Sequence, residues 1–310
     1  MANLDEGLLQ DLKSLTRWWP ALQERLAWRF SSMQVGIGEQ ATNSAEMETL
    51  SAQDGEPELT GVTNWPPTLE ALIQQCSPLP ANGVILGICD DGLPFVLDLT
   101  NPAPGALVIL SDSYGARKRL LNAILASATY LNSEEELAFN LFVNDQEGFH
   151  KFAQFSNCRH IVTINENTST EVADVIRELA VVTEARRRSR PVPPDVILAI
   201  DDLSSCLQII DDETFAQLYW LVKHGPRSRV WTIAAMDALQ SRQIEPRLLA
   251  SFRTRLIGSV EDDELGRYLT GGENLVFEET TEADQFYVPY SDSWVRFWIC
   301  DPDPSAWIGQ

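Results

Sequence analysis

The sequence predicts an α/β fold: a mostly parallel sheet with helices on both faces, joined by a flexible linker to an N-terminal helical segment. Three observations carry this expectation. From about residue 80 onward, short apolar runs alternate with helical patterns. Several runs, such as Leu107–Leu110 and Val196–Ile200, are apolar throughout, as strands become when helices cover both faces of a sheet. Finally, an acidic, polar stretch without periodicity separates the first helical pattern from the rest.

Residues 1–32 form the helical segment. Leu8, Leu12, Leu15, Trp19, Leu22 and Leu26 recur at heptad spacing. Pro20 interrupts the repeat, and proline is costly inside a helix, so two short helices meeting near Trp19 match the pattern as well as one rod. Trp18, Trp19, Trp28 and Phe30 suit this segment to docking a protein partner, or equally to packing on the chain's own main domain. Residues 33–67 are small, acidic and polar; they bury too little to offset chain entropy and read as a linker.

The main domain takes residues 68–310. It opens on a short amphipathic helix over Thr68–Gln75. Strands are expected at Gly83–Cys89, Pro94–Leu97, Ala106–Leu110, Ala138–Asn144, His160–Ile164, Val196–Ile200, Arg229–Ala235, Thr254–Gly258 and Asn274–Phe277. Helices are expected at Ala116–Tyr130, Gly148–Phe155, Thr170–Ser189, Asp212–His224, Pro246–Ala250 and Asp262–Leu269. The 310 residues suffice for one large α/β domain or two smaller ones.

Charge narrows the function classes. Lys and Arg number 23 against 45 Asp and Glu, a net charge of −22. Such a surface repels phosphate backbones, so direct DNA binding by the isolated chain is not expected. The five cysteines are scattered and form no CxxC, which fits a reducing, cytoplasmic setting. None of the three histidines lies at zinc-ligand spacing from a cysteine, so no metal site is predicted. No leader and no long apolar run appears, and no membrane partner is expected.

The most informative stretch is LVILSDSYGARKRLLN, Leu107–Asn122. It has the layout of a phosphate-binding loop: a buried strand, a small-residue turn and a helix start. A working loop, GxxxxGK[ST], needs glycines so that amides can wrap phosphate, a lysine to reach it and a hydroxyl for Mg²⁺. Here those four positions hold Ser111, Ala116, Arg117 and Lys118. Arginine replaces a compact ammonium with a planar fork. Taking Lys118 as the phosphate lysine leaves Arg119 behind it and still no hydroxyl. Gly115 offers one flexible position, whereas Asp112 and Tyr114 add charge and bulk where phosphates would lie.

The order of pieces from Gly83 to Asp301 resembles the FtsK/SpoIIIE-type P-loop domain of DNA translocases and of the tandem ATPase domains in type VII secretion motors. The resemblance covers about 220 of the 310 residues by order and spacing. GICDDGLPFVLDLTNPAPGALVI looks like the family's lead-in, followed by the loop-like SDSYGARK and the helix RLLNAIL. The second strand ends at Asn144–Asp145, where the family often has Asp-Pro-Lys. EARRRSR, Glu184–Arg190, is similar to the Glu-Arg-Arg ending before the Walker B strand, which reads DVILAIDDL here. GPRSRVWTIAAMD, Gly225–Asp237, resembles the strand that normally ends in a polar sensor.

The resemblance implies a RecA/FtsK-like P-loop NTPase sheet and roles for particular residues. Asp201 would hold the Mg²⁺-bound water and Asp202 would take the place of the catalytic glutamate. The competing reading of this pair is an acidic cap on the following turn or helix. Met236 falls where glutamine is usual. His224, Arg227 and Arg229 match a basic loop that contacts a neighbouring subunit, or else form a solvated turn. Arg186, Arg187, Arg188 and Arg190 either face a neighbouring subunit or nucleic acid, or form a solvated helix end whose dipole favours cations.

The expectation is therefore a catalytically degenerate P-loop domain acting as a structural or regulatory subunit. Ser111, Gly115, Ala116, Arg117, Lys118, Asp201 and Asp202 would form a vestigial nucleotide site, with no catalytic residue and at most weak binding of ATP and Mg²⁺. Partners would be the chain itself or an active paralogous ATPase, with a further protein held by the N-terminal helices. The alternatives are an active ATP-driven motor moving DNA or protein, and an unrelated α/β adaptor.

Overall fold

The computed structural model describes residues 66–76, 82–189, 191–273, 275, 285–290 and 293–300. The helical pattern of residues 1–32, the linker up to residue 65 and the strand expected at Asn274–Phe277 lie outside the described residues, apart from Leu275.

Helix α1 (Leu69–Cys76) precedes the hairpin β1 (Gly83–Cys89) and β2 (Pro94–Asp98). Strand β3 (Leu107–Leu110) then feeds helix α2 (Tyr114–Leu131), followed by β4 (Leu137–Val143), β5 (Cys158–Thr163), α3 (Ser169–Arg188) and β6 (Asp195–Ile200). Helices α4 (Leu203–Ile209) and α5 (Asp212–His224) lead to β7 (Val230–Met236), α6 (Pro246–Ser251), β8 (Thr254–Ile257) and α7 (Asp263–Leu269). A second hairpin, β9 (Gln285–Tyr290) and β10 (Ser293–Trp298), completes the described order.

The described strands form one sheet in the order β2-β1-β10-β9-β8-β3-β7-β6-β4-β5. The run from β8 to β5 is parallel, and the four strands beyond β8 pair antiparallel. Alternation along β3 explains the layers. Leu107 and Ile109 pack with Leu120, Leu121 and Ile124 of α2. Val108 and Leu110 pack on the other face with Ile176 and Leu179 of α3 and Leu218 and Leu221 of α5. Helix α2 is buried on two sides, because β1 lies across it: the Ile85 N–H donates to Ser127 Oγ at 2.7 Å.

Three expectations need correction. The helix expected at Gly148–Phe155 is a 3-10 turn, His150–Gln154, built around Phe149 and Phe152 in the core. Helix α4 was not expected; seven residues are too few for a periodic signal. The β9–β10 hairpin was also not expected. It enters between β1 and β8 and is locked by aromatics, with Phe286 stacked on Phe297 at 6.0 Å and Phe297 against Phe95 at 4.9 Å.

Candidate functional site

Ligand sites in open α/β sheets gather at the carboxyl ends of the strands. At that edge β3 ends in Ser111–Ser113, β6 ends in Asp201–Asp202, and β7 lies between the two strands. The fold therefore brings residues 111–118 and the acidic pair to the same edge of the sheet. The Tyr114 hydroxyl donates to Asp201 Oδ2 at 3.2 Å.

The loop is held by its own groups. Ser113, extended at φ −76° and ψ 107°, caps α2; its Oγ accepts from the Ala116 N–H at 3.2 Å. The Arg117 N–H bonds the Ser113 carbonyl, and the Asp112 N–H bonds the Ser259 carbonyl at 2.9 Å. The Ser113 N–H donates to Ser111 Oγ, which itself donates to the Ser259 carbonyl at 3.0 Å. Asp112 Oδ2 accepts from the Glu261 N–H at 2.7 Å, and burial raises the Asp112 carboxyl above its usual range. Helix α2 thus begins at Tyr114, two residues before the expected start at Ala116.

Arg117 is buried at 6% exposure. Its guanidinium bonds the Ser111 carbonyl and faces Asp237 at 3.7 Å. Lys118 extends its ammonium between the Tyr114 and Phe149 rings, 5.5 Å from each centre. Gly148 lets the β4 loop close on it at φ 83°, where an added Cβ would meet Lys118 Cε at 3.1 Å.

The two aspartates differ in occupation. Asp201 is 1% exposed, and its Oδ1 has no hydrogen-bond partner. Burial pushes its carboxyl above the ordinary range, opposed by the Tyr114 hydroxyl, the Asn144 backbone N–H and the Lys118 charge. Burial, with the Asp201 charge beside it, carries the Tyr114 phenol up to about 12. Asp202 caps α4: Oδ1 accepts from the Ser204 and Ser205 amides at 2.9 and 3.3 Å, while Oδ2 accepts from Asn144 Nδ2 and Ser205 Oγ, each at 2.9 Å. The capping reading therefore describes Asp202, and Asp201 is the member that faces the loop. Met236 ends β7 fully buried.

Mg²⁺ with ATP, the group this loop layout implies, would meet a loop several of whose polar groups are engaged by the chain itself. Phosphate recognition needs outward amides and a free cation. Here the amides of Asp112, Ser113 and Ala116 are bonded within the chain, the Arg117 amide makes the first bond of helix α2, and the Arg117 cation is bonded back to its own loop. A cavity of about 370 Å³ opens nearby, lined by Ile257, Val260, Gly266 and Thr270, but no residue of Ser111–Lys118 lines it.

The basic loop lies at the opposite edge, before β7. Arg229, in the left-handed region at φ 58°, pairs with the fully buried Asp195 at 3.3 Å. Asp195 also accepts from Asn82 Nδ2 at 2.8 Å. Arg186 donates to the Pro194 carbonyl at 2.7 Å and reaches the Ser228 and Arg229 carbonyls. Those two arginines hold the edge together, while His224 is half-buried and Arg227 is exposed. Sequence reasoning missed Asp237 as the partner of Arg117 and Asn144 as the partner of Asp202. The only signal for either was a polar residue directly after an apolar strand.

No family model matches the sequence, and no curated protein matches it. Solved structures do. One of EssC (ATPases 2 and 3) from Geobacillus thermodenitrificans aligns over 73% of this chain and 48% of that one, with a TM-score of 0.60 and 14% identity. Thermomonospora curvata EccC (ATPases 2 and 3), in complex with a signal sequence peptide, aligns over 72% and 41%, at 0.54 and 15%. The pCW3 conjugation coupling protein TcpA, a monomer form with ATPγS, aligns over 73% and 68%, at 0.56 and 15%. The chain thus spans less than half the length of the EssC and EccC structures. Among the described residues no helix is long and apolar enough to cross a membrane. Sheet order, the strand–loop–helix at Leu107–Leu131 and these likenesses together give the chain the fold of the FtsK/SpoIIIE-type P-loop ATPase domains.

Proposed function

We propose that the chain is a catalytically silent P-loop domain that serves as a structural or regulatory subunit of a larger, cytoplasmic assembly. One observation carries this reading: the Asp112, Ser113 and Ala116 amides and the Arg117 guanidinium are engaged by the chain's own groups. Phosphoryl transfer depends almost wholly on positioned charge. The site lacks the groups that would supply it, with Lys118 at the Mg²⁺-hydroxyl position and Arg117 turned back on Ser111.

The assembly would form with further copies of the chain or with an active paralogous ATPase. The EssC and EccC structures hold ATPases 2 and 3, a setting in which a silent unit beside an active one has a place. The N-terminal helices would recruit a protein partner. The strand–loop–helix at Leu107–Leu131 favours this reading over an unrelated adaptor.

The test is Mg²⁺-dependent ATP turnover by the full chain and by Asp201→Ala, with and without DNA or a candidate partner protein. Background turnover in both is expected. Turnover in the wild type that Asp201→Ala abolishes would overturn the reading in favour of an ATP-driven motor. Weak ATP binding without turnover agrees with the proposal.

A further inference from the structure

The edge of the sheet opposite the loop carries a feature that the silent site does not explain. The C-terminal ends of α3 and α5 meet there, beside the 3-10 turn Gly225–Ser228. Arg187 lies over the Trp220 ring at 5.8 Å, and Trp220 is 5.4 Å from the His224 ring. Lys223 lies 6.0 Å from the Tyr219 ring. The His224 imidazole is held below its usual range by burial first and then by Arg187, Lys223 and Arg227, with Glu184 acting in the opposite sense.

Helix dipoles favour cations in a last turn, and that accounts for part of the cluster. Arg227 lies beyond both α-helices, in the 3-10 turn that continues α5. The dipole does not explain the pairing pattern. The chain has 45 acidic side chains for 23 basic ones, so a carboxylate partner is easily supplied. Glu184 takes Arg188 at 2.8 Å and approaches Arg187 at 3.6 Å. Lys223 and Arg227 are exposed, and neither makes an ion pair among the described residues. Glu184 meets this cluster on the Arg187 side, and Lys223 and Arg227 beside it leave a local positive field that an external anion would neutralise.

We infer that Arg187, Lys223, His224 and Arg227, with Trp220 between them, form a docking surface for a short carboxylate-rich peptide segment of a partner protein. Arginine braced on an aromatic face is preorganised for a carboxylate. A peptide fits better than nucleic acid on charge grounds. It need cover only the patch, whereas a polyanion running past it meets the negative surface of the remaining chain, which screening leaves in force over about 8 Å at physiological salt. Arg186 and Arg229 are bonded internally and would hold the surface without touching the peptide. This inference does not depend on the state of the nucleotide loop.

The experiment is fluorescence anisotropy with the full chain and three probes: a Glu-Gly repeat peptide, the matching Gln-Gly repeat and a single-stranded oligodeoxynucleotide. The expected result is salt-sensitive binding of the glutamate peptide alone. In the combined variant Arg187→Glu, Lys223→Glu, Arg227→Glu that binding should weaken by about tenfold or more, since each substitution adds repulsion as well as removing attraction. If the triple variant melts earlier than the wild type, Arg227→Gln decides instead, with a loss of about two- to fivefold expected for one exposed charge. No binding of the glutamate peptide, equal binding by the variants, or tighter binding of the oligonucleotide would each overturn the inference. None of these results bears on ATP turnover, which is read separately.

Discussion

The Tyr114 hydroxyl donates to Asp201 Oδ2 at 3.2 Å, tying the first residue of α2 to the carboxyl end of β6. Asp201 Oδ1 has no partner, so the phenol is the side-chain donor to a carboxylate that is otherwise buried. Tyr114→Phe should therefore destabilise the chain by about 1–2 kcal/mol, toward the lower part of the range for an orphaned buried acceptor because the tyrosine ring is partly exposed. Urea unfolding measures this. An unchanged midpoint would mean that the phenol does not hold the loop to the sheet.

The same carboxylate sets a pH dependence whose sign can be worked out. Burial raises the folded-state pKa of Asp201 above its ordinary value of 3.8. Between those two values the folded chain binds more protons than the unfolded one, so this contribution to stability is complete below 3.8 and is lost as pH rises through the raised value. Asp201→Asn keeps the shape and removes the titration. Its stability relative to the wild type should rise from pH 4 upward and then level off. Asp211 and Asp262, held low by helix-end amides, act in the opposite sense but cancel in the difference between the two proteins. A gap between them that does not change with pH would contradict the burial argument.

Much of this arrangement was legible in the residues, and the part that was not has a physical reason. Strands β1, β3 and β6 declare themselves as apolar runs, and α5 through its acidic start and basic end. The juxtaposition of Asp201 with the loop was expected from the resemblance to P-loop domains and from the gathering of sites at strand ends. Partners such as Tyr114 with Asp201 and Arg117 with Asp237 join residues 87 and 120 positions apart, and no local pattern encodes such pairs. The β9–β10 hairpin hid for another reason. FYVPYSDSWVRFW has the aromatic alternation of two strands, but Pro289 weakened the strand signal.

Arg117 offers a direct comparison between a structural and a ligand-binding cation. A residue kept to hold phosphate contributes little to the stability of a nucleotide-free chain. Arg117 is buried, bonds the Ser111 carbonyl and faces Asp237. Arg117→Ala should cost about 2–3 kcal/mol, the scale of a lost charge-assisted hydrogen bond. Arg117→Lys should recover part of that loss without conferring ATP turnover, because the loop amides remain turned inward. A neutral effect of Arg117→Ala on unfolding, measured without nucleotide, would remove the structural role assigned to it.

Gly258 connects the loop to the C-terminal hairpin. It follows β8, and its N–H bonds the Leu110 carbonyl at 2.7 Å. A Cβ there would stand 2.8 Å from Phe286 Cε1 and 2.9 Å from Ser111 Cβ and Oγ. Phe286 is fully buried against Phe297 and cannot swing away, so Ser111 must move. Gly258→Ala should then cost about 1–3 kcal/mol, the usual penalty for overpacking. It should also break the bonds that Ser111 Oγ makes to the Ser259 carbonyl and the Ser113 N–H. Hydrogen exchange at the Asp112–Arg117 amides should accelerate more than exchange in β4 or β6. Adding Phe286→Leu, which vacates space on the hairpin side, should return part of both the stability and the protection. Equal acceleration throughout the sheet would show instead that the loop and the hairpin are independent.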